Sequence, residues 1–320
     1  MLTRRQAFEQ LRHNLNLTDL QDETVATRQR NVRQAVASQL TVVDDFLTGS
    51  YRRQTLIAPL TKADRDIVVV LDDGYRARHA RAVLELTRKA LMLTYPRTPR
   101  ISRNGQAVTV SFSDFLVDVV PAFRRPWWNS SGLEPTWDIC DSGGDKWIET
   151  NPKKHVELSA LVNGLHEGRL VPCIKQLKAW NQAANSPLRS FHLEVLAWSI
   201  FGSSWWSHLN MQSDWQNTCY FFDKARDRLR YELSDPAGTD GKVSAYLTET
   251  SRAAAISKVG SAYDRCLRAE AAAAEGDFAK MHEIYRHGAL MVLSAPLSTQ
   301  HLPDSCPNWH PLYPARIQPL

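Results

Sequence analysis

Two aspartates one residue apart, Asp64 and Asp66, run directly into Ile67-Val68-Val69-Val70-Leu71, whereas such a pair on its own is most often a solvated turn. A short β-branched run preceded by turn-type residues predicts a buried strand. Alternate strand residues share a face, so Asp64 and Asp66 project together from its mouth. Paired carboxylates are the hard oxygen donors that Mg²⁺ takes. Just upstream, Gly49-Ser50 offers a backbone without Cβ, N–H groups and a hydroxyl, which suits a polyphosphate approaching closely. The stretch from Leu47 to Leu71 therefore reads as half of a nucleotidyl-transfer site.

The other half requires a third carboxylate from a neighbouring strand. Asp118 lies inside Phe115-Leu116-Val117-Asp118-Val119-Val120. In a strand it faces the way Leu116 and Val120 do, while Val117 and Val119 face the opposite side, toward helices. A charge in so apolar a strand costs several kcal/mol unless it is paired or metal-bound. The competing reading is a structural aspartate held by an arginine or a backbone N–H. Three such carboxylates suit a two-metal site for phosphoryl transfer, in which no protein nucleophile is needed.

The 320 residues are 43% hydrophobic and 23% charged, enough for one large domain or two lobes sharing a cleft. A formal charge of +5 fits an anionic ligand without singling one out. Five scattered cysteines without a CxxC pair argue against a disulfide framework and a zinc site. No apolar run approaches the roughly 20 residues of a membrane span. The first residues lack the apolar core of a secretory signal. A cytoplasmic location is the expectation.

Periodicity and turn signals predict helices to about His13 and from Thr18 to Gln39, then a strand over 41–46 and a short helix near Tyr51. A helix over 76–95 follows, with Arg76, Arg78 and Arg81 on its solvated face. Asn104-Gly105 signals a hairpin between strands. After Pro121 the chain reads as irregular, with a short strand at 146–150. From Pro152 onward helical spacing dominates, over 153–166, 169–184, 188–209, 214–232, 244–274 and 277–293. Residues 297–320 read as an irregular tail. Arg124-Arg125 with Trp127-Trp128 reads as a solvated basic turn beside packed tryptophans, the alternative being a patch that stacks on or grips nucleotides.

Gly49-Ser50-Tyr51 with Arg53 and Thr55, Asp64-x-Asp66, Asp118-Val119-Val120-Pro121-Ala122, and Trp147 ahead of Asn151-Pro152 together resemble the bacterial cGAS/DncV-like nucleotidyltransferases (CD-NTases) of the DNA-polymerase-β-like superfamily. The resemblance runs from about Thr48 to Gly238. It implies an α+β, two-lobed nucleotidyltransferase fold. A mixed-sheet catalytic lobe (40–150) would pack on a helical lobe (151–296), bridged by a long N-terminal helix within 1–39. It further implies metal-binding, catalytic carboxylates at Asp64, Asp66 and Asp118, holding two Mg²⁺ ions, or Mn²⁺. Triphosphate contacts fall on Gly49, Ser50, Lys178 and Ser190, with Lys175 as a second lysine candidate, and a base-stacking aromatic falls on Phe191. Read without the resemblance, a helical lysine is usually a solvated charge and a phenylalanine at a helix start is usually core.

The implied activity joins nucleoside triphosphates into a cyclic di- or trinucleotide, or a short oligonucleotide. That product would act as a second messenger in anti-phage (CBASS-type) defence. The expected partners are the triphosphates, a separate messenger-binding effector protein and regulatory proteins. A nucleic-acid activator is not expected, because the zinc-ligand cluster with which cyclic GMP–AMP synthase grips DNA has no counterpart. Two rival readings are template-independent nucleotide addition to RNA ends, which needs a contiguous basic track, and a catalytically silent nucleotide or nucleic-acid sensor.

Overall fold

The computed structural model describes residues 2–58, 66–98, 100–113, 115–126, 134–202, 213–239 and 241–287. Its centre is a seven-stranded mixed sheet built from β1 (Val42–Leu47), β2 (Asp66–Leu71), β3 (Arg100–Asn104), β4 (Ala107–Ser111), β5 (Leu116–Arg124), β6 (Trp137–Cys140) and β7 (Trp147–Thr150). The main path runs β1-β2-β5-β4-β3, and β6 joins β5 to β7. Only β2 and β5, among these pairs, are parallel, and their register sets Asp66 directly beside Asp118.

The alternation expected of these strands holds. Ile67, Val69, Leu71, Val117 and Val119 are buried together against α2 (Asp19–Ala37) and α4 (Ala80–Thr94), through Val32, Val36, Val83 and Leu91. Val68, Val70 and Ala122 form a smaller apolar patch on the other face, with Trp137 and Ile139. Asp66 and Asp118 belong to this second face by the same two-residue period.

The helical part comprises α5 (Pro152–Leu165), α6 (Leu170–Ala183), α7 (Ser190–Gly202), α8 (Asp214–Arg228), α9 (Glu249–Ala274) and α10 (Phe278–His287). Its core includes Leu177, Trp180, Leu193, Phe221, Phe222 and Val259, all buried, with the Trp180 and Phe222 rings 4.7 Å apart and edge-on. α1 (Arg4–Leu15) starts with a full capping box between Thr3 and Gln6. Ala7, Phe8, Leu11 and Leu15 of α1 enter the helical core, whereas Val25, Val32 and Val36 of α2 enter the sheet core. The N-terminal brace is thus divided between two helices, each serving a different core.

Several expectations are corrected. The helix expected over 76–95 begins only at Ala80, capped by His79, and a turn of 3₁₀ helix precedes it at Asp73–Tyr75. Arg76 is therefore not on a helix face. Its guanidinium reaches Asp73 (2.9 Å) and Asp138 (2.6 Å) and lies 5.0 Å over the Phe123 ring. The chain also stays regular past Pro121. β5 continues to Arg124 and β6 pairs with it. Proline fits because antiparallel pairing with β4 ends at Val119 and that with β6 starts at Ala122. Arg125 is no solvated charge, since it is ion-paired to Asp138 and Glu149. Of the helices expected over 188–209 and 277–293, the described residues show Ser190–Gly202 and Phe278–His287, their expected ends lying outside the described residues, and that over 244–274 starts at Glu249 behind the Thr248 cap. Asp64, Trp127, Trp128 and the 297–320 tail lie outside the described residues. Among the described residues, no helix is long and apolar enough to cross a membrane.

Candidate active site

The β1–β2 connection explains the first half of the site. β1 ends at Leu47, the Thr48 N–H donates to the Asp66 carbonyl (3.0 Å), and α3 (Gly49–Arg52) turns the chain over the start of β2. Gly49 holds φ at +68°, a left-handed conformation that side chains disfavour. A Cβ placed there would lie 1.7 Å from Asp66 Oδ2. The turn is therefore pressed against the Asp66 carboxylate as closely as a backbone can come.

Asp118 is 8% exposed and accepts a 2.5 Å hydrogen bond from the Thr109 hydroxyl, its antiparallel neighbour on β4. That bond occupies one oxygen and fixes the carboxylate plane. Asp66 and Asp118 both line a cleft of about 400 Å³ between the sheet and α6 and α7. The same cleft collects Ser50, Lys178, Ser190 and Phe191, so six of the expected residues meet there and Gly49 touches Asp66 from behind. Two carboxylates side by side, one of them backed by a hydroxyl donor, form an oxygen donor set that fits a hard divalent cation. Among the described residues no third His, Cys, Asp or Glu completes a metal-sized cluster.

The same cleft holds a group that sequence reasoning left without a role. Glu194 on α7 is fully buried and receives Arg53 Nε (2.8 Å), Arg53 Nη2 (3.1 Å) and Lys178 Nζ (2.6 Å). Lys178 Nζ also donates to the Thr55 carbonyl and hydroxyl, both at 3.1 Å. An ammonium has three N–H donors, and these three acceptors use them all. Burial pushes the Glu194 carboxyl up, but the charges of Arg53 and Lys178 outweigh it and hold its pKa down, at about 2. Burial lowers the Lys178 ammonium from its ordinary value, with Glu194 opposing the shift.

A signal for Glu194 was present: it is a charge inside Phe191-His192-Leu193-Glu194-Val195-Leu196-Ala197-Trp198, the argument already applied to Asp118. His192 is a core residue, as its apolar neighbours suggest. It shares a 3.0 Å hydrogen bond with the Tyr246 hydroxyl, and burial pushes its pKa down to about 4. Phe191 stands at the cleft wall, its ring 4.8 Å from His155 and 5.1 Å from the Arg53 guanidinium. Lys175 points away from this cleft. It bonds Asn16 (2.8 Å) and lines a separate cavity of about 1000 Å³ beside Tyr51 and Arg52.

Replacing Arg53 by Leu leaves Glu194 buried with one cation, which is expected to cost about 3–5 kcal/mol of stability at pH 7. Because the folded-state pKa of Glu194 is depressed, its contribution is complete above the ordinary value of 4.5 and is lost as pH falls toward about 2. The difference in urea midpoint between wild type and Arg53→Leu should therefore shrink from pH 7 to pH 3. A difference independent of pH would assign the effect to lost packing of the arginine stem.

A family model described as the Second Messenger Oligonucleotide or Dinucleotide Synthetase domain (SMODS) matches residues 1–163. A probable cyclic nucleotide synthase of Bacillus cereus (strain VD146) is 22% identical over 224 residues, covering 60% of this chain and 65% of that protein. A cyclic AMP-AMP-AMP synthase of Acinetobacter sp. (strain ATCC 27244 / 9458) is 30% identical over 164 residues, 48% of this chain and 45% of that protein. The chain thus matches less than two thirds of either relative's length. Among solved structures, CdnC of E. coli MS115-1 with ATP superposes with a TM-score of 0.73 at 15% identity, covering 89% of this chain and 97% of that one. This likeness extends the shared fold through the helical part.

Proposed function

Since this chain belongs to the second messenger oligonucleotide or dinucleotide synthetase family, the bacterial CD-NTases, we propose that its cleft joins nucleoside triphosphates through phosphodiester bonds, with release of pyrophosphate, to give a cyclic oligonucleotide. The observation that carries the reading is the in-register pairing of Asp66 with Asp118 in a cleft that also holds the Arg53, Glu194 and Lys178 cluster. One wall is built to hold a cation and the other to receive a polyanion.

Asp66 and Asp118, with Asp64, would hold Mg²⁺, which supplies charge neutralisation to the triphosphate and acidifies an attacking ribose hydroxyl. The chain's own residues do the rest. Gly49 lets the turn lie against Asp66, and that places the Ser50 hydroxyl at the cleft. Ser190 presents a second hydroxyl from the first turn of α7, and the cations of Arg53 and Lys178 set a positive potential where the phosphates sit. Phe191 offers a ring edge or face to a base. Burial of Arg53 and Lys178 leaves these two cations little reorganisation to do when charge develops. The product would serve as a second messenger in cytoplasmic anti-phage (CBASS-type) signalling, read by a separate effector protein. The family's description as messenger synthetases supports this role.

The test incubates the full chain with all four labelled nucleoside triphosphates and Mg²⁺ or Mn²⁺, then phosphatase, with Asp66→Asn alongside. A phosphatase-resistant product made by wild type alone is expected. Extension of added RNA, with no product from nucleotides, would replace this reading by end addition.

A further inference from the structure

The cation wall of the cleft is assembled from both parts of the fold. Arg53 follows α3 in the sheet part, Lys178 comes from α6, and Glu194 is ion-paired to both. Both oxygens of Glu194 are taken up by the two cations. Lys178 spends its other two donors on Thr55, in the segment that leaves the phosphate turn. Thr55 in turn donates its N–H to the Ser50 carbonyl (2.8 Å). A continuous chain of contacts therefore runs from Glu194 through Lys178 and Thr55 to Ser50.

We infer that Glu194 is a positioning residue for the triphosphate: it touches no substrate, but ties Arg53 and Lys178 together and, through Thr55, sets the phosphate turn. Phosphate then meets a pre-ordered pair of cations and a pre-placed hydroxyl rather than one mobile lysine. The inference rests on reading the cleft as a triphosphate site. It changes the role of Lys178: the lysine is first a strut between α6 and the turn, and any phosphate contact it makes exchanges with Thr55. Without Glu194 the two cations would lose the carboxylate bonded to both and keep Asp66 as a weaker counter-charge, and their repulsion would loosen the wall.

Inorganic tripolyphosphate with Mg²⁺ is a probe that needs no base identity, and its binding to the full chain can be measured by calorimetry. Glu194→Gln should weaken it by at least about tenfold, and Glu194→Asp, which keeps the charge on a shorter stem, by less. With nucleoside triphosphates the KM should rise by a similar factor while kcat changes little, because the carboxylate wall is untouched. A second readout is pH. Lys178 is faced by Arg53, Asp66, Glu194, Lys175 and the cleft's Asp118. Removing Glu194 drives the buried ammonium's pKa lower still, so the Glu194→Gln deficit should grow as pH rises and that charge is lost. Ionisation of the probe is common to both proteins and cancels in the ratio of their affinities.

Melting temperatures taken in parallel separate the alternatives. A variant that melts earlier but binds tripolyphosphate as wild type does, with the same pH profile, would assign Glu194 to stability alone and overturn the inference. Should Glu194→Gln not fold, Glu194→Asp decides by the same comparison. If wild type binds neither tripolyphosphate nor any nucleoside triphosphate, the reading of the cleft itself fails, an outcome distinct from equal binding by both proteins.

Discussion

Asp118→Asn is expected to reduce product formation at least about 1,000-fold, about 4 kcal/mol of barrier, while leaving the protein as stable as wild type or more so. The two effects separate because of where the carboxylate sits. Asp118 is 8% exposed on a strand flanked by Val117 and Val119, and one of its oxygens accepts from the neutral Thr109 hydroxyl. A buried anion beside another carboxylate, Asp66, is a standing cost to folding in the absence of a cation. Asparagine keeps the shape and can still accept from Thr109, so it removes the charge while keeping that hydrogen bond. Product yield from mixed triphosphates and a thermal melt, run on the same preparation, check the prediction. A loss of activity accompanied by a large fall in melting temperature would mean that Asp118 is a structural group.

Gly49→Ala should be nearly as damaging, for a steric reason. The new methyl would fall 1.7 Å from Asp66 Oδ2, and φ of +68° must be held by a residue with a Cβ. The left-handed conformation alone costs about 1–2 kcal/mol, and relief of the clash must move either the turn or the Asp66 side chain. Either movement pulls the Ser50 hydroxyl away from the carboxylates, since the Thr48 N–H bond to the Asp66 carbonyl fixes their spacing. An activity loss of at least about 100-fold is expected, in line with the penalty for misplacing reacting groups by about an ångström. The variant should still fold, because the sheet's apolar contacts lie elsewhere. Full activity in Gly49→Ala would show that the turn does not sit against Asp66 in the working enzyme.

Much of this was legible in local chemistry. The period of two within Asp66–Leu71 and Leu116–Val120 places each aspartate on the face opposite the valines packed under α2 and α4. Asn104-Gly105 makes the hairpin, with Gly105 at φ +57°, and the Thr3 box and Asn151 side chain cap the helices that follow them. These features depend on residues within a few positions of each other, so a linear reading reaches them. Other features depend on which distant segment arrives. Asp66 meets Asp118 only because β2 and β5 pair in one particular register. Pro121 stays in its strand only because β4 leaves before it and β6 joins after it. Arg76 leaves the helix face for Asp138, a partner two strands away along the sheet.

Lys178 shows the division within one residue. Its place on a helix, beside Cys173 and Leu177 and opposite the phosphate turn, follows from local spacing and the resemblance. That its ammonium is already committed to Glu194 and Thr55 does not. A buried charge must find its counter-charge wherever the fold brings one, because desolvation penalises an unpaired ion regardless of sequence distance. The sequence alone therefore determined which residues carry charge on which face of each element. Tertiary structure alone decided which of those charges face one another, since that depends on the packing of the sheet against α6 and α7.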